Sequence, residues 1–368
     1  MNVLLYYAYA PHTTGRYWEE ALHELGHSVL FCGPSLTLDR PGFPGDVDLV
    51  RFIQTQRFTP DVFIYVDGGG LPRNIHRLPC PTIAYFIDVF ERKSWKAEAS
   101  RLFDLVALSQ LVYLPEFQAA GVRSLWLPLA CAPAVHTLPD ARHERFDVAC
   151  IGQQGANHAE RVRLQRRLAE RYSTCFQSGL TREAMAAVYA HSRIVFNKGI
   201  VFNKGRNSGL NMRVFEGLAS GALLVTDAIG NGITELFEPG KDLITYVDED
   251  DLLQKIDYYL AHEDERQEIA HHGQTKVLSS HTYRQRVEQL LQRLPSQLTA
   301  PLRPAPAADQ FRVYARAHAT STMPASALQE TFTLARRGGL RPRDWKLLVR
   351  CVRSVQRTLK EIARPLEE

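Results

Sequence analysis

Short apolar segments alternate with amphipathic segments along the first 130 residues of the chain. The apolar segments have strand length and are rich in β-branched and aromatic residues, and most of them end in Gly, Asp or Ser. Strands that are apolar on both faces and are separated by helices are typical of parallel βα units. We therefore predict a doubly wound parallel sheet, with strands within residues 2–8, 27–33, 61–70, 82–88 and 104–109.

A second α/β series follows the proline-rich segment 125–143, which we interpret as a crossover between two domains. We predict an α/β protein of two Rossmann-like, doubly wound domains that face a cleft. The predicted organisation is an N-terminal domain (1–130), a C-terminal domain (131–294), a Pro/Ala-rich linker (295–309) and a basic helical tail (310–368). Strands of the second domain are predicted within 146–153, 193–197, 222–227 and 242–248, and helices over 160–171, 213–220, 250–261, 263–278 and 283–294.

Length and composition are those of an ordinary globular protein. A chain of 368 residues suits two domains, and 45% hydrophobic with 23% charged residues is typical of this class. The six cysteines lie far apart without a C-x-x-C pair, which favours reduced thiols over a zinc site or a disulfide framework. The first residues, MNVLLYYAYAPH, lack a basic n-region, and no segment approaches the roughly 20 apolar residues of a membrane span. We expect a cytoplasmic protein.

Charge is distributed unevenly along the chain. Residues 300–368 contain 13 Lys and Arg against 6 Asp and Glu, whereas the first 299 residues contain 31 against 34. A near-neutral body does not indicate a nucleic-acid-binding protein, so we predict no nucleic-acid partner.

The basic tail has a regular apolar stripe. From Trp345 to Ile362, apolar residues recur at spacings of three and four, and Arg and Lys occupy much of the remaining surface. One interpretation is a helix attracted to the inner face of a membrane, which would suit a lipid-linked acceptor. The other, which we prefer, is packing on the body of the protein or on a second subunit.

The segment GRNSGLNMRVFEG (205–217) contains the clearest chemical pattern. Its glycines precede a predicted helix, whose first N–H groups and dipole favour an anion. Arg213 in the first turn opposes the dipole unless an anion such as a pyrophosphate offsets it. Glu216 lies on the same helix face and can accept hydrogen bonds from ribose or sugar hydroxyls. A surface Arg–Glu pair explains the same spacing, so both interpretations are open.

The segment NMRVFEGLASGALLVTD (211–227) closely resembles the donor-binding segment of the CgeB-like bacterial glycosyltransferases, relatives of glycosyltransferase family 4 with the GT-B fold. ALHELGHSV, FDLVALSQ, LWLPLACAPAVH, FDVACIGQ and MAAVYAHSRIVFN resemble the same family in the expected order, so the resemblance covers residues 1–294. It implies that the C-terminal domain binds a nucleoside-diphosphate sugar and that the N-terminal domain binds an acceptor. It also implies transfer in the cleft without a metal or a cofactor.

Within this resemblance, Glu216 matches the glutamate that grips the donor ribose. Ser208 stands where family 4 relatives carry a second glutamate, which leaves the sugar and the usual retaining mechanism open. Gly152 matches a loop close to the donor phosphates or base, although a plain βα turn explains it equally. Lys198 and Lys204 are candidates for phosphate charge compensation, or solvated loop lysines. The predicted donor-side residues are Gly152, Lys198, Lys204, Asn207, Ser208, Gly209, Asn211, Arg213, Glu216, Asn231, Gly232 and Ile233.

Loops after three strands of the first domain carry the acceptor-side candidates. His12 is a candidate base or phosphate donor, and Asp88 resembles the family's aspartate that deprotonates or positions an acceptor hydroxyl. A solvated histidine and a turn-capping aspartate are the structural alternatives. The other predicted acceptor-side loop residues are Gly15, Asp67, Gly68 and Gly69.

Two local patterns are interpreted as structural. The D-x-D pattern in VDEDD (247–251) opens a predicted helix, where acidic residues cap and favour the dipole, so we predict no metal site there. FNKG occurs twice between residues 196 and 205, whereas the family pattern needs only one copy. We predict that the first copy ends a strand. The second copy should form an elongated loop or short hairpin that brings Lys204, Arg206 and Asn207 towards the donor.

We predict a hexosyltransferase-type glycosyltransferase of glycan biosynthesis that moves a sugar from a nucleotide-sugar donor to a glycan, protein or lipid-linked acceptor. A nucleotide-sugar epimerase or hydrolase on the same fold is one alternative. A catalytically silent GT-B module that binds sugars or assembles a coat is another, and Ser208 is the feature that favours it.

Overall fold

The computed structural model of the chain describes residues 1–68, 70–89, 93–138, 144–154, 158–199, 201–202, 206–207, 209–227 and 232–297. The predicted basic tail, nearly all of the linker, and Cys351 lie outside these residues. So do four predicted site residues, namely Gly69, Lys204, Ser208 and Asn231.

The N-terminal sheet has six described strands: β1 (Asn2–Tyr6), β2 (Ser28–Phe31), β3 (Val62–Val66), β4 (Thr82–Phe86), β5 (Leu105–Leu108) and β6 (Ser124–Trp126). All of the pairs are parallel, in the order β2-β1-β3-β4-β5-β6. The five predicted strands are confirmed. The sixth takes up the start of the segment predicted as an irregular crossover, because Leu125 pairs with Ala107 at the edge of the sheet.

Both faces of this sheet are buried, as its continuous apolar strands require. Val3 and Leu5 of β1 belong to one hydrophobic core, and Leu4 and Tyr6 belong to the other. This division follows from the two-residue period of a strand. The helices of this half are α1 (Thr14–Glu24), α2 (Leu49–Thr55), α3 (Lys93–Ala99) and α4 (Leu114–Ala119).

The described part of the C-terminal half has seven strands: β7 (Phe146–Ile151), β8 (Thr174–Gln177), β9 (Ser192–Asn197), β10 (Val201–Phe202), β11 (Arg206–Asn207), β12 (Leu223–Asp227) and β13 (Ile244–Tyr246). Five of them form a second parallel sheet in the order β13-β12-β9-β7-β8. The four predicted strands are confirmed. The edge strand β8 is only partly buried, so its sequence gives no strong apolar signal.

The helices of this half include every predicted one. Three more, α5, α7 and α9, were not predicted; α7 begins after Thr181, whose hydroxyl accepts a hydrogen bond from the Ala184 N–H at 3.2 Å. The helices are α5 (Pro133–His136), α6 (Ala159–Ala169), α7 (Arg182–Ala190), α8 (Met212–Ser220), α9 (Ile233–Leu236), α10 (Glu249–Ala261), α11 (Glu263–Ser280) and α12 (Tyr283–Gln297).

The repeated FNKG segment is a strand end followed by a hairpin. The first copy ends β9 at Asn197, as predicted. Around the second copy, whose residues 203–205 lie outside the described residues, β10 and β11 pair antiparallel, with Val201 opposite Asn207 and Phe202 opposite Arg206. The predicted short hairpin is therefore confirmed.

The two halves meet where the crossover, α1 and α12 pack together. The Tyr17 ring of α1 stacks on the Tyr283 ring of α12, with centroids 5.1 Å apart and planes 9° apart. Arg286 of α12 donates to the Pro128 carbonyl at 3.0 Å. A salt bridge of 2.8 Å joins Arg182 to Glu20 of α1. These contacts hold the carboxyl ends of the two sheets near each other.

Five of the six cysteines are free thiols in the described residues, as predicted. None of the described helices is both long enough and apolar enough to cross a membrane. The D-x-D pattern serves as a helix cap, as predicted, because the Asp248 carboxylate accepts from the Asp251 N–H at 2.9 Å.

Gly273 sets the spacing between α11 and its neighbours. A Cβ built there would lie 2.1 Å from the Asp242 carbonyl oxygen and 2.7 Å from a Leu218 methyl group. Alanine normally stabilises a helix interior relative to glycine. We nevertheless expect Gly273→Ala to lower the free energy of unfolding by about 1–3 kcal/mol in urea titrations, because of the overlap.

The exposed Glu268→Ala on the same helix is the matched control and should change the free energy of unfolding by less than about 0.5 kcal/mol. A Gly273→Ala protein as stable as the wild type would contradict the packing described here.

Candidate functional site

A buried arginine joins the ends of two neighbouring strands. Arg213, in the first turn of α8, is 8% exposed. Its Nε and Nη2 donate to the Ile151 carbonyl at 2.9 and 2.6 Å, and its Nη1 donates to Asn197 Oδ1 at 2.8 Å. These oxygens lie at the carboxyl ends of β7 and β9, where parallel sheets bind ligands. Of the two interpretations of this spacing, the surface Arg–Glu pair is excluded, because both side chains are buried.

Asn197 organises the beginning of α8. Its Oδ1 also accepts from Asn211 Nδ2 at 3.0 Å, and its Nδ2 donates to Thr226 Oγ1 at 2.9 Å. The Asn211 Oδ1 is buried and has no hydrogen-bond partner among the described residues. Asn211 precedes the helix without capping it. The first N–H groups of α8 are thus adjacent to polar groups at the ends of the strands.

The absence of a side chain at Gly152 leaves room for the Arg213 guanidinium group. This glycine has φ +155°, and a Cβ built on it would lie 2.2 Å from Arg213 Nη2. Any side chain would displace the guanidinium group. Gly152 was predicted to allow the close approach of a ligand. In the structure, a glycine is needed there because the Arg213 side chain occupies the adjacent space.

A second buried arginine approaches the same point. Arg161 of α6 is 5% exposed, and its Nη2 would lie 3.6 Å from a Gly152 Cβ. The same nitrogen donates to the Gln153 carbonyl, while its Nε has no partner among the described residues. Burial lowers the pKa of Arg161, and the positive charge of Arg213 lowers it further.

The guanidinium groups of Arg161 and Arg213 form no ion pair with the described part of the chain, although Glu216 acts on Arg213 from a longer distance. No described carboxylate lies within 4.0 Å of either guanidinium group. The pKa of His158, which precedes α6, is also lowered, by burial and then by Arg161 and Arg213. Two buried, like-charged groups without a counter-ion are costly, and an anion would offset that cost.

Glu216 is a buried carboxylate one turn beyond Arg213. It is 5% exposed, and no described residue donates a hydrogen bond to it within 3.5 Å. Burial raises its pKa to about 7, against a lowering effect of Arg213. Its free lone pairs are therefore available to hydroxyl groups of a ligand.

His136 adjoins Glu216, and Tyr17 adjoins His136. His136 Nε2 lies 3.8 Å from Glu216 Oε1 and 3.3 Å from the Tyr17 hydroxyl. Tyr17 belongs to α1 of the N-terminal half, so both halves of the molecule contribute to the surroundings of this carboxylate.

The remaining donor-side residues have mixed surroundings. Lys198 is paired with Asp227 at 3.1 Å, so its charge is already compensated. Gly209 has φ +102°, a conformation that favours glycine. Gly232 has φ +92° and packs under Trp126 of the N-terminal sheet, where a Cβ would lie 2.7 Å from the ring. Ile233 is buried beside it.

The acceptor-side candidates differ from one another in exposure and in their interactions. His12 is exposed in the turn before α1, and Asp88 is exposed after β4. Asp67 forms an ion pair with the buried Lys96, which also donates to the Asp88 carbonyl at 2.5 Å. Gly68, with φ +141°, follows Asp67.

Gly15 is not a loop residue, so this prediction is wrong. α1 begins at Thr14, and Gly15 is buried in its first turn. A Cβ built there would lie 2.2 Å from the Tyr7 ring, so the glycine allows α1 to pack on the sheet. The predicted loop after β1 is shorter than the sequence pattern indicated.

Three residues of the site were not identified from the sequence. Arg161 lies on the buried face of α6 together with Leu164 and Leu168, where an apolar residue is expected. A charged residue at such a position was the signal in the sequence that could have identified it. Tyr17 lies on the apolar face of α1 with Trp18 and Leu22, so its position in the sequence indicates only packing. His136 is a single histidine in a proline-rich segment and carries no local signal.

The chain is similar to known proteins in part of its sequence and in its fold. Residues 132–292 match the family model described as glycosyl transferase-like. No protein of curated function matches the sequence.

Several solved structures are similar to this one over most of both chains. HepE from Anabaena, solved with UDP and glucose, is 12% identical over 80% of this chain and 100% of its own, with a TM-score of 0.56. Sucrose-phosphate synthase from Thermosynechococcus elongatus is 12% identical over 81% and 99%, with a TM-score of 0.57. AviGT4, a glycosyltransferase of avilamycin A biosynthesis, is 15% identical over 81% and 98%, with a TM-score of 0.55. The predicted GT-B fold is confirmed.

Glu216 should give folding stability a measurable pH dependence. Its pKa is about 7 in the folded protein and ordinarily 4.5, so the folded state holds the proton more tightly. Stability therefore falls as pH rises from 4.5 to 7. We expect Glu216→Gln, which cannot ionise, to be up to roughly 3 kcal/mol more stable than the wild type at pH 8.

Urea unfolding at pH 4.5 and pH 8 measures this effect, with the exposed Glu268→Gln as the control. The advantage of Glu216→Gln should nearly vanish at pH 4.5. Equal or lower stability of Glu216→Gln at pH 8 would show that the carboxylate is not destabilised by burial.

Proposed function

We propose that this protein is a glycosyltransferase that moves a sugar from a nucleoside-diphosphate sugar to an acceptor in the cleft between its two halves. The observation that carries the proposal is the pair of buried, unpaired guanidinium groups of Arg161 and Arg213 beside the start of α8. The glycosyl transferase-like match of residues 132–292 supports the same function.

The two arginines suit the diphosphate of such a donor. A diphosphate presents several anionic oxygens, and guanidinium groups bind such oxygens with paired N–H donors. Arg213 is already oriented by Ile151 and Asn197, so little reorganisation is needed on binding. Charge that grows on the leaving diphosphate during transfer would be stabilised by these groups and by the α8 dipole. This is the role that a metal plays elsewhere, so we propose a metal-independent reaction.

Glu216 suits the ribose of the donor. Its carboxylate lies one helical turn from Arg213 and lacks hydrogen-bond donors in the described chain. Ribose hydroxyls would supply two such donors to one carboxylate. The burial cost of the carboxylate would then be offset when the nucleotide binds.

The acceptor would approach from the N-terminal sheet. Asp88 is exposed at the end of β4, and His12 is exposed at the end of β1. Either side chain is chemically able to take a proton from an acceptor hydroxyl. We propose Asp88 as the first candidate, because this carboxylate is exposed directly after a central strand of the N-terminal sheet. Closure of the two halves would exclude water from the transferred sugar.

Uridine nucleotides are the first donors to test. HepE, which shares the fold, was solved with UDP and with UDP-glucose. We propose that a UDP-hexose is the donor here, and GDP- and dTDP-sugars serve as the comparison.

Arg161 tests the anion site, because its role is independent of the sequence resemblance. We expect Arg161→Ala to weaken UDP binding about tenfold to a hundredfold in calorimetric titrations, since a charge-assisted contact is lost. The weakening should shrink at high salt. Arg163→Ala, two residues along α6 and with its side chain 58% exposed, is the matched control and should bind UDP like the wild type.

Equal UDP affinity of Arg161→Ala and Arg163→Ala would remove Arg161 from the site. If the wild type binds none of UDP, GDP and dTDP, the proposed function fails.

Release of nucleoside diphosphate tests turnover. With a cell extract as the acceptor source, we expect the wild type to release UDP from a UDP-sugar and to do so equally in the presence of EDTA. Glu216→Gln should bind the donor more weakly and release less UDP. Binding without release would favour a silent module, conversion of the donor sugar without transfer would favour an epimerase, and loss of activity in EDTA would contradict metal independence.

A further inference from the structure

The tautomer of His136 is fixed by its surroundings. His136 is 1% exposed, and its Nδ1 accepts a hydrogen bond from the Ala132 N–H at 3.0 Å. Burial lowers the pKa of this imidazole to about 3, and the charge of Arg182 lowers it further, so the ring is neutral. Because Nδ1 carries the lone pair, the single ring proton is on Nε2.

The Nε2 proton is directed at the Tyr17 hydroxyl and at Glu216. The Tyr17 oxygen lies 3.3 Å from Nε2, and Glu216 Oε1 lies 3.8 Å from it. Tyr17 therefore accepts from His136 and keeps its own proton for another acceptor. Burial raises the pKa of the Tyr17 hydroxyl most. The negative charge of Glu216 raises this pKa further, and its effect is the largest among the charged groups.

Tyr17 is itself held in place. Its ring stacks on Tyr283 at 5.1 Å, and the Arg182 guanidinium lies 5.8 Å from its centroid. Arg182 in turn forms the 2.8 Å salt bridge with Glu20. The hydroxyl thus has a defined position at the boundary between the two halves.

We propose that His136 and Tyr17 are positioning residues for the nucleotide: the His136 ring, 3.8 Å from Glu216 Oε1, orients this carboxylate towards the ribose, and Tyr17 holds the ring in place from the opposite half of the molecule. This inference rests on the proposed function, since it assigns a partner to the ribose-binding carboxylate. The donor site is then complete only when α1 lies against the crossover. Binding of the nucleotide and the arrangement of the two halves are thereby coupled through the contacts of Tyr17 with His136 and of His136 with Glu216.

A pH readout separates positioning from general stability. Donors aimed at a carboxylate favour its charged form and hold its pKa down. Loss of such a donor should move the pH at which nucleotide binding reaches half its maximum to a higher value. The titratable or charged groups that face Glu216 are Arg213 of α8, Tyr17 of α1, Cys131 and His136 of the crossover, Tyr189 of α7 and Tyr283 of α12.

The experiment compares four variants of the full chain in titrations with the tightest-binding of UDP, GDP and dTDP, from pH 5.5 to pH 9. Tyr17→Phe removes only the hydroxyl and keeps the ring on Tyr283. His136→Phe removes both hydrogen bonds, whereas His136→Gln keeps an N–H donor close to the Nε2 position. Tyr6→Phe is the matched control, because it loses a buried hydroxyl whose 2.6 Å bond to the Gly45 carbonyl lies in the other core of the N-terminal half.

We expect Tyr17→Phe and His136→Phe to bind the nucleotide about tenfold more weakly and to shift the pH midpoint of binding upward by about one unit. His136→Gln should recover most of the affinity and the wild-type midpoint. Tyr6→Phe should match the wild type in both, and thermal unfolding of each variant shows that it is folded at the assay temperature.

Two outcomes would overturn the inference. Wild-type affinity and midpoint in Tyr17→Phe and His136→Phe, while Glu216→Gln is impaired, would leave the proposed function standing and remove these two residues from it. Weaker binding with an unchanged midpoint, not recovered by His136→Gln, would show a merely structural role. Failure of the wild type to bind any of the three nucleotides would instead defeat the proposed function itself.

Discussion

The position of the Arg213 guanidinium decides the geometry of the whole candidate site. Its hydrogen bonds to the Ile151 carbonyl and to Asn197 tie the start of α8 to the ends of two adjacent strands. Gly152 has no side chain because the guanidinium group occupies that space. The Ile151 and Asn197 oxygens are neutral, so they orient the guanidinium group without cancelling its charge. The positive charge is therefore available to a ligand. The guanidinium group is therefore already held in position in the protein without a ligand.

The same region carries destabilising features that a ligand would relieve. Two buried arginines lie close together with no described carboxylate within 4.0 Å, and no described residue donates a hydrogen bond to the buried Glu216 within 3.5 Å. Sites of this kind lower folding stability while they raise the affinity for a complementary ligand. A nucleoside diphosphate has anionic oxygens for the first feature and ribose hydroxyls for the second. One ligand class thus accounts for both.

Local patterns in the sequence predicted most of the strands and helices, and they pointed to Arg213 and Glu216, which the structure places in one buried polar region. They succeeded because buried parallel strands and helix starts have distinctive compositions, as in β1, β12 and α8. They failed where the role of a residue depends on its tertiary contacts. Gly15 was predicted to lie in a loop and instead packs a helix on Tyr7, and Arg161 and Tyr17 meet the site only through packing. The roles of His12 and Asp88 stay predictions.

The central claim is that Arg161, Arg213 and Glu216 form one nucleotide site at the ends of β7 and β9. A crystal structure of the full chain with UDP tests it most directly. We predict diphosphate oxygens within hydrogen-bond distance of both guanidinium groups and ribose hydroxyls on the Glu216 carboxylate. UDP bound elsewhere on the protein, with these three side chains unliganded, would contradict the account.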